Sequence, residues 1–178
     1  MSAETLDAIG FANTVHAVRG KLKDGLPAWL ERRGHSADIA SSSSSSSSAS
    51  AEATGFAALR DAIRSLLDAT VAGEAYPAQA VATVNAASAA APFWLELRDG
   101  EPRVEERPVA SGVQAELGAI ARGAIALLTG EQRDSLRFCQ APGCVQFFVK
   151  AHPRQEFCGP ACGNRARAAR HYARRKED

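Results

Sequence analysis

Aromatic residues make up only 6% of this 178-residue sequence, and methionine occurs once. A core of bulky rings is therefore excluded, and small side chains must build most of what is buried. No apolar run approaches the roughly 18 to 20 residues that a membrane-spanning helix needs, so no transmembrane helix is expected. The opening stretch, Met1 to Asp7, has acidic residues and neither Lys nor Arg. A secretory signal is not expected there, and the cytoplasm is the simplest compartment. The sequence also lacks a Gly-rich phosphate loop, a carboxylate pair and a nucleophile–base set. No catalytic residue is assigned, and an enzyme is not expected. His16 and His35 read as surface or packing residues. No internal repeat is present.

What is abundant is alanine, within a hydrophobic fraction of 46%. Alanine is the best helix former and lets helices approach closely, so the expected class is mainly α. Apolar residues at helical spacing predict a first helix over residues 3–19, through Phe11, Val15 and Val18 and on to Leu22. Asp24-Gly25 breaks it, and Leu26 to Arg33 reads as a short amphipathic helix with Pro27 early and Gly34 after its end. Residues 41–50 are almost pure serine, which reads as a flexible surface loop. Residues 52–72 are the clearest helix, with Phe56, Leu59, Ile63, Leu66 and Leu67 on one face. Pro77 opens the next helix. From Pro92 the pattern alternates. Phe93 to Arg98, a turn at Asp99-Gly100 and a return over Arg103 to Arg107 predict one β-hairpin. Val109 to Leu128 returns to helix. Thr129 and Gln132 have the spacing of a capping box for a short helix leading into Cys139.

The net charge of +1 conceals an uneven distribution. Residues 1–130 hold 11 Lys/Arg against 15 Asp/Glu, whereas residues 131–178 hold 10 against 5. The expected organisation is an acidic helical domain over 1–130 followed by a basic module over 131–178. A basic end predicts an anionic partner, most often nucleic acid.

Every cysteine lies in that basic module, as Cys139, Cys144, Cys158 and Cys162. The spacing Cys-x4-Cys-x13-Cys-x3-Cys provides two close pairs of soft ligands, which suits one structural, tetrahedral Zn2+. Val145 to Val149 is strand-like, with Phe147 and Phe148 on opposite faces, and Glu156-Phe157 is expected to pair back on it. A helix follows, with the last ligand near its first turn. Knuckle, hairpin and helix in this order describe a small treble-clef-like finger. About 40 residues with so few large apolar side chains cannot fold alone, and a structural zinc contributes on the order of 10–16 kcal/mol.

The helix after Cys162 places Ala166, Ala169 and Ala173 on the side of the metal. Its other faces carry Arg165, Arg167, Arg170, His171, Arg174, Arg175 and Lys176. Arg167, Arg170 and Arg174 share one stripe, and arginine is well suited to phosphate and guanine edges. Tyr172 stands beside the stripe. Lys150 and Arg154, at the tip between the cysteine pairs, are expected to add phosphate contacts.

Cys-x4-Cys, an aromatic pair, Phe157-Cys158 and then Cys162-Gly163-Asn164-Arg165 resemble the CGNR zinc finger. The segment Phe11-Ala12-Asn13-Thr14-Val15 resembles the opening of the ABATE-type domain that commonly precedes that finger. The Leu59 to Ala69 helix and Leu127-Leu128 resemble its later stretches. The resemblance implies zinc at the four cysteines, DNA binding through the finger and a regulatory N-terminal domain, in a family described as stress-induced transcription regulators. The stretch Lys150 to Phe157 and the serine run depart from the family pattern.

The expected function is zinc-dependent binding of duplex DNA in transcription control. A homodimer is expected, because one small module buries only roughly 600–1,000 Å² on DNA, and the helical domain would sense a small-molecule effector, make the dimer, or both. An RNA-binding protein and a protein-interaction adaptor with purely structural zinc are the alternatives.

Overall fold

Narrow alanine-lined faces let the helices of the N-terminal part approach closely, and the arrangement that results is mainly α. The computed structural model describes residues 3–18, 20–35, 47–97 and 104–177. Helix α1 spans Ala3–Ala12, strands β1 and β2 span Val15–Val18 and Lys21–Asp24, and α2 spans Leu26–Arg32. Helix α3 (Ser47–Ala72) and α4 (Ala78–Ala90) lead into β3 (Phe93–Leu97) and β4 (Val104–Pro108). Helix α5 (Gly112–Thr129) and a 3-10 turn (Glu131–Ser135) precede β5 (Leu136–Phe138), β6 (Phe147–Val149) and α6 (Pro160–Glu177). Among the described residues the strands form three separate antiparallel pairs, β1–β2, β3–β4 and β5–β6. No described helix is long and apolar enough to cross a membrane.

Helix α5 is central and packs on α1, α3 and α4. The core combines Phe11, Phe56, Ile63, Leu67, Ile120 and Leu127, all essentially buried. Phe11, Trp29 and Phe56 meet as a tilted trio with centroids 5.0–6.4 Å apart. Half of the body's six aromatic residues thus meet at one corner. His35 packs its ring 5.3 Å from Phe56, and His16 bonds the Thr14 carbonyl, so both histidines have local roles.

Four expectations need correction. The first helix stops at Ala12 rather than residue 19, and a second hairpin follows it. Asn13 and Thr14 donate their N–H groups to the Ile9 and Phe11 carbonyls, and the chain then turns into β1. Val15 and Val18 are β-branched, and Gly20 adopts φ +78°, which suits glycine in the hairpin turn. Val18 and Leu22, which fit a helical stripe, are exposed. The buried Arg60 secures the hairpin base, donating to Asp24 at 2.6 Å, to the Thr14 hydroxyl and to Asp61. Second, the serine run is not wholly a loop. Ser47 to Ser50 form the start of α3, while 41–46 lie outside the described residues. Third, Thr129 and Gln132 make no capping box. Gly130 caps the 3-10 turn, and Thr129 bonds back to the Ile125 carbonyl. Fourth, β6 pairs with β5 and not with Glu156-Phe157. Leu136 and Phe138 alternate with Arg137, and this supplies an apolar strand face ahead of the first cysteine. The predicted Phe93 hairpin is present, with its Asp99-Gly100 turn outside the described residues.

The finger is fused to the helical body. Leu136 and Phe147 belong to the main core, with Phe138 and Val149 packed against it. Asn13 spans the junction like an extra strand residue. Its Nδ2 donates to the Phe147 carbonyl at 2.8 Å, and its Oδ1 accepts the Phe147 N–H at 2.9 Å. Gln146 reaches back to the carbonyls of Asn13 and Val15. Arg64 of α3 bridges the Ala12 and Val145 carbonyls and lies over the Phe147 ring.

Two substitutions test this packing. Asn13→Ala strands both backbone groups of Phe147 and is expected to lower unfolding free energy by about 1–3 kcal/mol in urea denaturation. Gly118→Ala should destabilise the protein despite a helix-propensity gain of about 1 kcal/mol. A Cβ there would lie 2.3 Å from the Ala91 Cβ, and overpacking of this kind costs about 1–3 kcal/mol. A rise in thermal midpoint for Gly118→Ala would refute the close approach.

Candidate functional site

The finger is built outward from β6. Strand alternation sends Phe147 to the helical core and Phe148 to a second cluster with Cys139, Ala141 and Cys162. Cys139 directly follows β5, and its N–H extends the ladder to the Gln146 carbonyl. Ala141 to Cys144 is a tight turn, closed by the Cys144 N–H on the Ala141 carbonyl and opened sterically by Gly143 at φ +69°. Cys158 precedes α6, and Cys162 sits in its first turn.

The four Sγ atoms lie within 4.8 Å of one another. Cys158 and Cys162 are 3.5 Å apart, Cys162 and Cys144 3.7 Å, and Cys144 and Cys158 3.9 Å. A tetrahedron with Zn–S bonds of about 2.3 Å has S···S edges of about 3.8 Å. The thiols are therefore arranged as a tetrahedral zinc site requires, and the cluster fits one structural zinc ion. With four protein ligands it would have no open position for a reacting water.

Ionisation is uneven across the cluster. Burial opposes a thiolate at Cys139, yet its sulfur accepts the Cys158 N–H at 3.4 Å and its pKa lies below that of an ordinary thiol. Burial and the neighbouring thiols push Cys158 up. Burial, with the adjacent Cys139 and Cys162, also raises Cys144. Four clustered thiols resist full ionisation by themselves, and a divalent cation supplies the compensating charge.

Arg165 lies at the metal cluster rather than free on the outer face of the helix. Its Nη2 is 3.1 Å from the Cys162 sulfur. Four thiolates on Zn2+ leave a net charge of −2, which a guanidinium at this distance offsets. Asn164 accepts a hydrogen bond from Arg167. The later turns of α6 carry Arg170, His171, Arg174 and Arg175, all exposed. Tyr172 is 66% exposed, with the His171 ring edge-on to it. Lys176 lies within α6, but its side chain is outside the described residues. Ala166 is buried against the finger, Ala169 half-buried and Ala173 exposed, so the alanine face is covered only near the metal.

Lys150 donates to the Pro153 carbonyl and Arg154 is exposed on the same loop. Two further basic residues escape sequence reasoning. Arg133 and Arg137 line one surface groove with Thr70, and Arg137 shares a second groove with Lys150 and Phe157. The alternation Leu136-Arg137-Phe138 is a signal for Arg137, and Arg133 in the 3-10 turn has none. Asn13, Arg64 and Gln146, which join finger to body, are also functional in this sense. Of these three, only Asn13 belongs to a motif recognisable in the sequence.

Residues 8–131 match the ABATE family, described as "Putative stress-induced transcription regulator". The chain belongs to this family. Residues 135–175 match the CGNR zinc finger, the segment that holds all four clustered thiols. No curated protein matches the chain at a significant level. As an ABATE protein with a CGNR finger, the chain combines a regulator-type helical body with a zinc-binding module.

Zinc removal by chelation is expected to lower the thermal midpoint of the whole protein in one transition, because Phe147 of the finger sits in the body core. A body transition unaffected by chelation would contradict that coupling. Arg165→Ala should retain the four ligands yet weaken zinc affinity by about 10–100-fold, measured by competition with a chromogenic chelator.

Proposed function

We propose that this ABATE protein binds duplex DNA through the outer face of α6 and acts in transcription control. The observation that carries the reading is the clustering of exposed, unpaired arginines on one helix. Two arginines of the body are held by carboxylates, Arg33 by Asp7 and Glu116 and Arg60 by Asp24 and Asp61. Its cations Lys21, Lys23 and Arg32, unpaired among the described residues, are not gathered on one helix face. Arg170, Arg174 and Arg175 on α6 form no ion pair among the described residues, nor do Lys150 and Arg154 of the loop. An unmatched row of guanidiniums on one small-residue helix attracts a polyanion, and the helix is slender enough to approach a major groove. Arg167 joins the row at its inner end and His171 extends it, and Lys176, whose side chain lies outside the described residues, is a further candidate for phosphate. Arg165 is assigned to the zinc thiolates first and to phosphate second. The reading is of a binding protein rather than an enzyme. The body supplies the regulatory input, through the α1–β1 corner that Asn13 and Gln146 tie to β6. Two copies would double the contact that one finger makes.

An RNA target is the second reading, favoured by the exposed Tyr172 beside His171, which offers a stacking surface. Fluorescence anisotropy with zinc-loaded protein separates the two. Duplex DNA is expected to bind with a steep salt dependence. Removing one phosphate-neutralising cation, as Arg170→Ala or Arg174→Ala does, should make the log–log salt slope shallower by about 0.9. Unchanged slopes in both variants would overturn the assignment to α6. Stronger competition by structured RNA than by duplex would transfer the reading to RNA. Retention of neither would leave the adaptor.

A further inference from the structure

The structure holds a hairpin whose two edges are not equivalent. β3 and β4 pair from Phe93↔Pro108 to Leu97↔Val104. The Val109 N–H bonds the Pro92 carbonyl at 2.9 Å, so Pro92 and Val109 occupy a hydrogen-bonded position of the antiparallel ladder. Such positions alternate along the strands. Trp94 and Glu96 therefore direct their backbone groups at β4, while Phe93, Leu95 and Leu97 direct theirs to the outer edge. β3 has no second strand partner among the described residues. Its side chains are unusually bare: Trp94 is 55% exposed, Leu95 64% and Leu97 76%. Phe93 is half-buried under the guanidinium of Arg122, 4.6 Å from the ring centroid. An isolated two-stranded hairpin is marginal in water, and an open apolar edge strand is a template for pairing with another chain.

We propose that the outer edge of β3 is a self-pairing surface, and that its occupant is β3 of a second copy of this chain. The strand is self-complementary about Leu95. A two-fold axis there sets Leu95 opposite Leu95 of the partner subunit, and Phe93 opposite Leu97 of the partner subunit. Each facing pair falls at a hydrogen-bonded position and exchanges both backbone bonds. The same axis lines the apolar residues along one face of the resulting four-stranded sheet. On the other face it sets Trp94 opposite Glu96 of the partner subunit, so no like charges meet. The β4 edge lacks this match. Its outward positions are Val104, Glu106 and Pro108, and the equivalent pairing would oppose Glu106 to itself and meet a proline without an N–H. A two-fold contact of this kind closes on itself, giving a dimer and no filament. One strand edge falls short of the roughly 800 Å² per partner of a standard interface, so the expected affinity is micromolar. The proposal names a surface for the two-copy arrangement and does not depend on what the finger binds.

Sedimentation velocity of the zinc-loaded full chain tests it. Wild type is expected to pass from monomer to dimer over about 1 to 200 μM. Leu95→Lys and Leu95→Glu should each weaken self-association by about 10-fold or more, because each charge faces its own copy across the axis. An equimolar mixture of the two should recover the dimer, since opposite charges then face each other. Wild type that stays monomeric throughout overturns the proposal, as does either variant dimerising like wild type or a mixture that stays monomeric. Should a charge at this position impair folding, Leu95→Pro removes the outward N–H without adding a charge, and an undiminished dimer in that variant overturns the proposal equally.

Discussion

Two adjacent phenylalanines in a three-residue strand set the architecture. Because side chains alternate across a strand, Phe147 enters the helical core and Phe148 enters the thiol cluster. The finger is too small to bury a core of its own, and this alternation gives it a share of a larger one. Zinc binding then acts on both sides of β6. The metal closes the knuckle, the turn and the start of α6, while the body covers the opposite face of the same strand. Asn13 completes the junction by matching the Phe147 backbone as a neighbouring strand would. The two family segments meet in one continuous hydrophobic unit, so changes in the body around α1 and β1 bear directly on the strand that supports the metal.

The arginines divide by distance from that metal. Arg165, one turn after the last ligand, turns inward to a sulfur. Arg167 is held by Asn164. Beyond it, Arg170, Arg174 and Arg175 have no carboxylate beside them among the described residues. Residues with the same charge and nearly the same spacing thus serve different ends. Close to the zinc a guanidinium offsets excess negative charge, and farther along the helix it is left for solvent or a polyanion. In the body, by contrast, Arg33 and Arg60 are each held by two carboxylates, and Arg64 and Arg122 by backbone carbonyls. Arg60 does this from a buried position, where an unmatched guanidinium would be costly.

Much of this was legible in the sequence. The cysteine spacing points to the metal site, alanine and helical spacing to the long helices, and the alternation after Pro92 to the β3–β4 hairpin. The errors arose where one pattern permits two periods. Phe11, Val15, Val18 and Leu22 satisfy a helical stripe, yet Val15 and Val18 are β-branched and Gly20 permits a tight turn. The hairpin wins because the Gly25 N–H closes its base on the Thr14 carbonyl and Arg60 secures it from a distant part of the chain. The partner of β6 is ambiguous in the sequence for a similar reason. Glu156-Phe157 is nearer the expected tip, but Leu136 and Phe138 can bury against the body, and only tertiary packing decides between them. The role of Arg165 was hidden as well, since sequence places it on a basic helix without showing which way it turns.

The rigid junction also bears on how a pair of fingers would behave. If the fingers were tethered to the body by a flexible linker, dimerisation would raise their local concentration without setting their separation. Here the finger shares a core with the body, and the β3–β4 hairpin emerges between α4 and α5 of that same body. Self-pairing through β3 would therefore fix both the distance and the relative orientation of the two basic helices. Two sites held at a set spacing select targets by geometry as well as by contact, which compensates for the small surface of one finger. The fused core thus matters twice. It stabilises a module that could not fold alone, and it converts an edge-strand contact in the body into a constraint on where the two outer helices can reach.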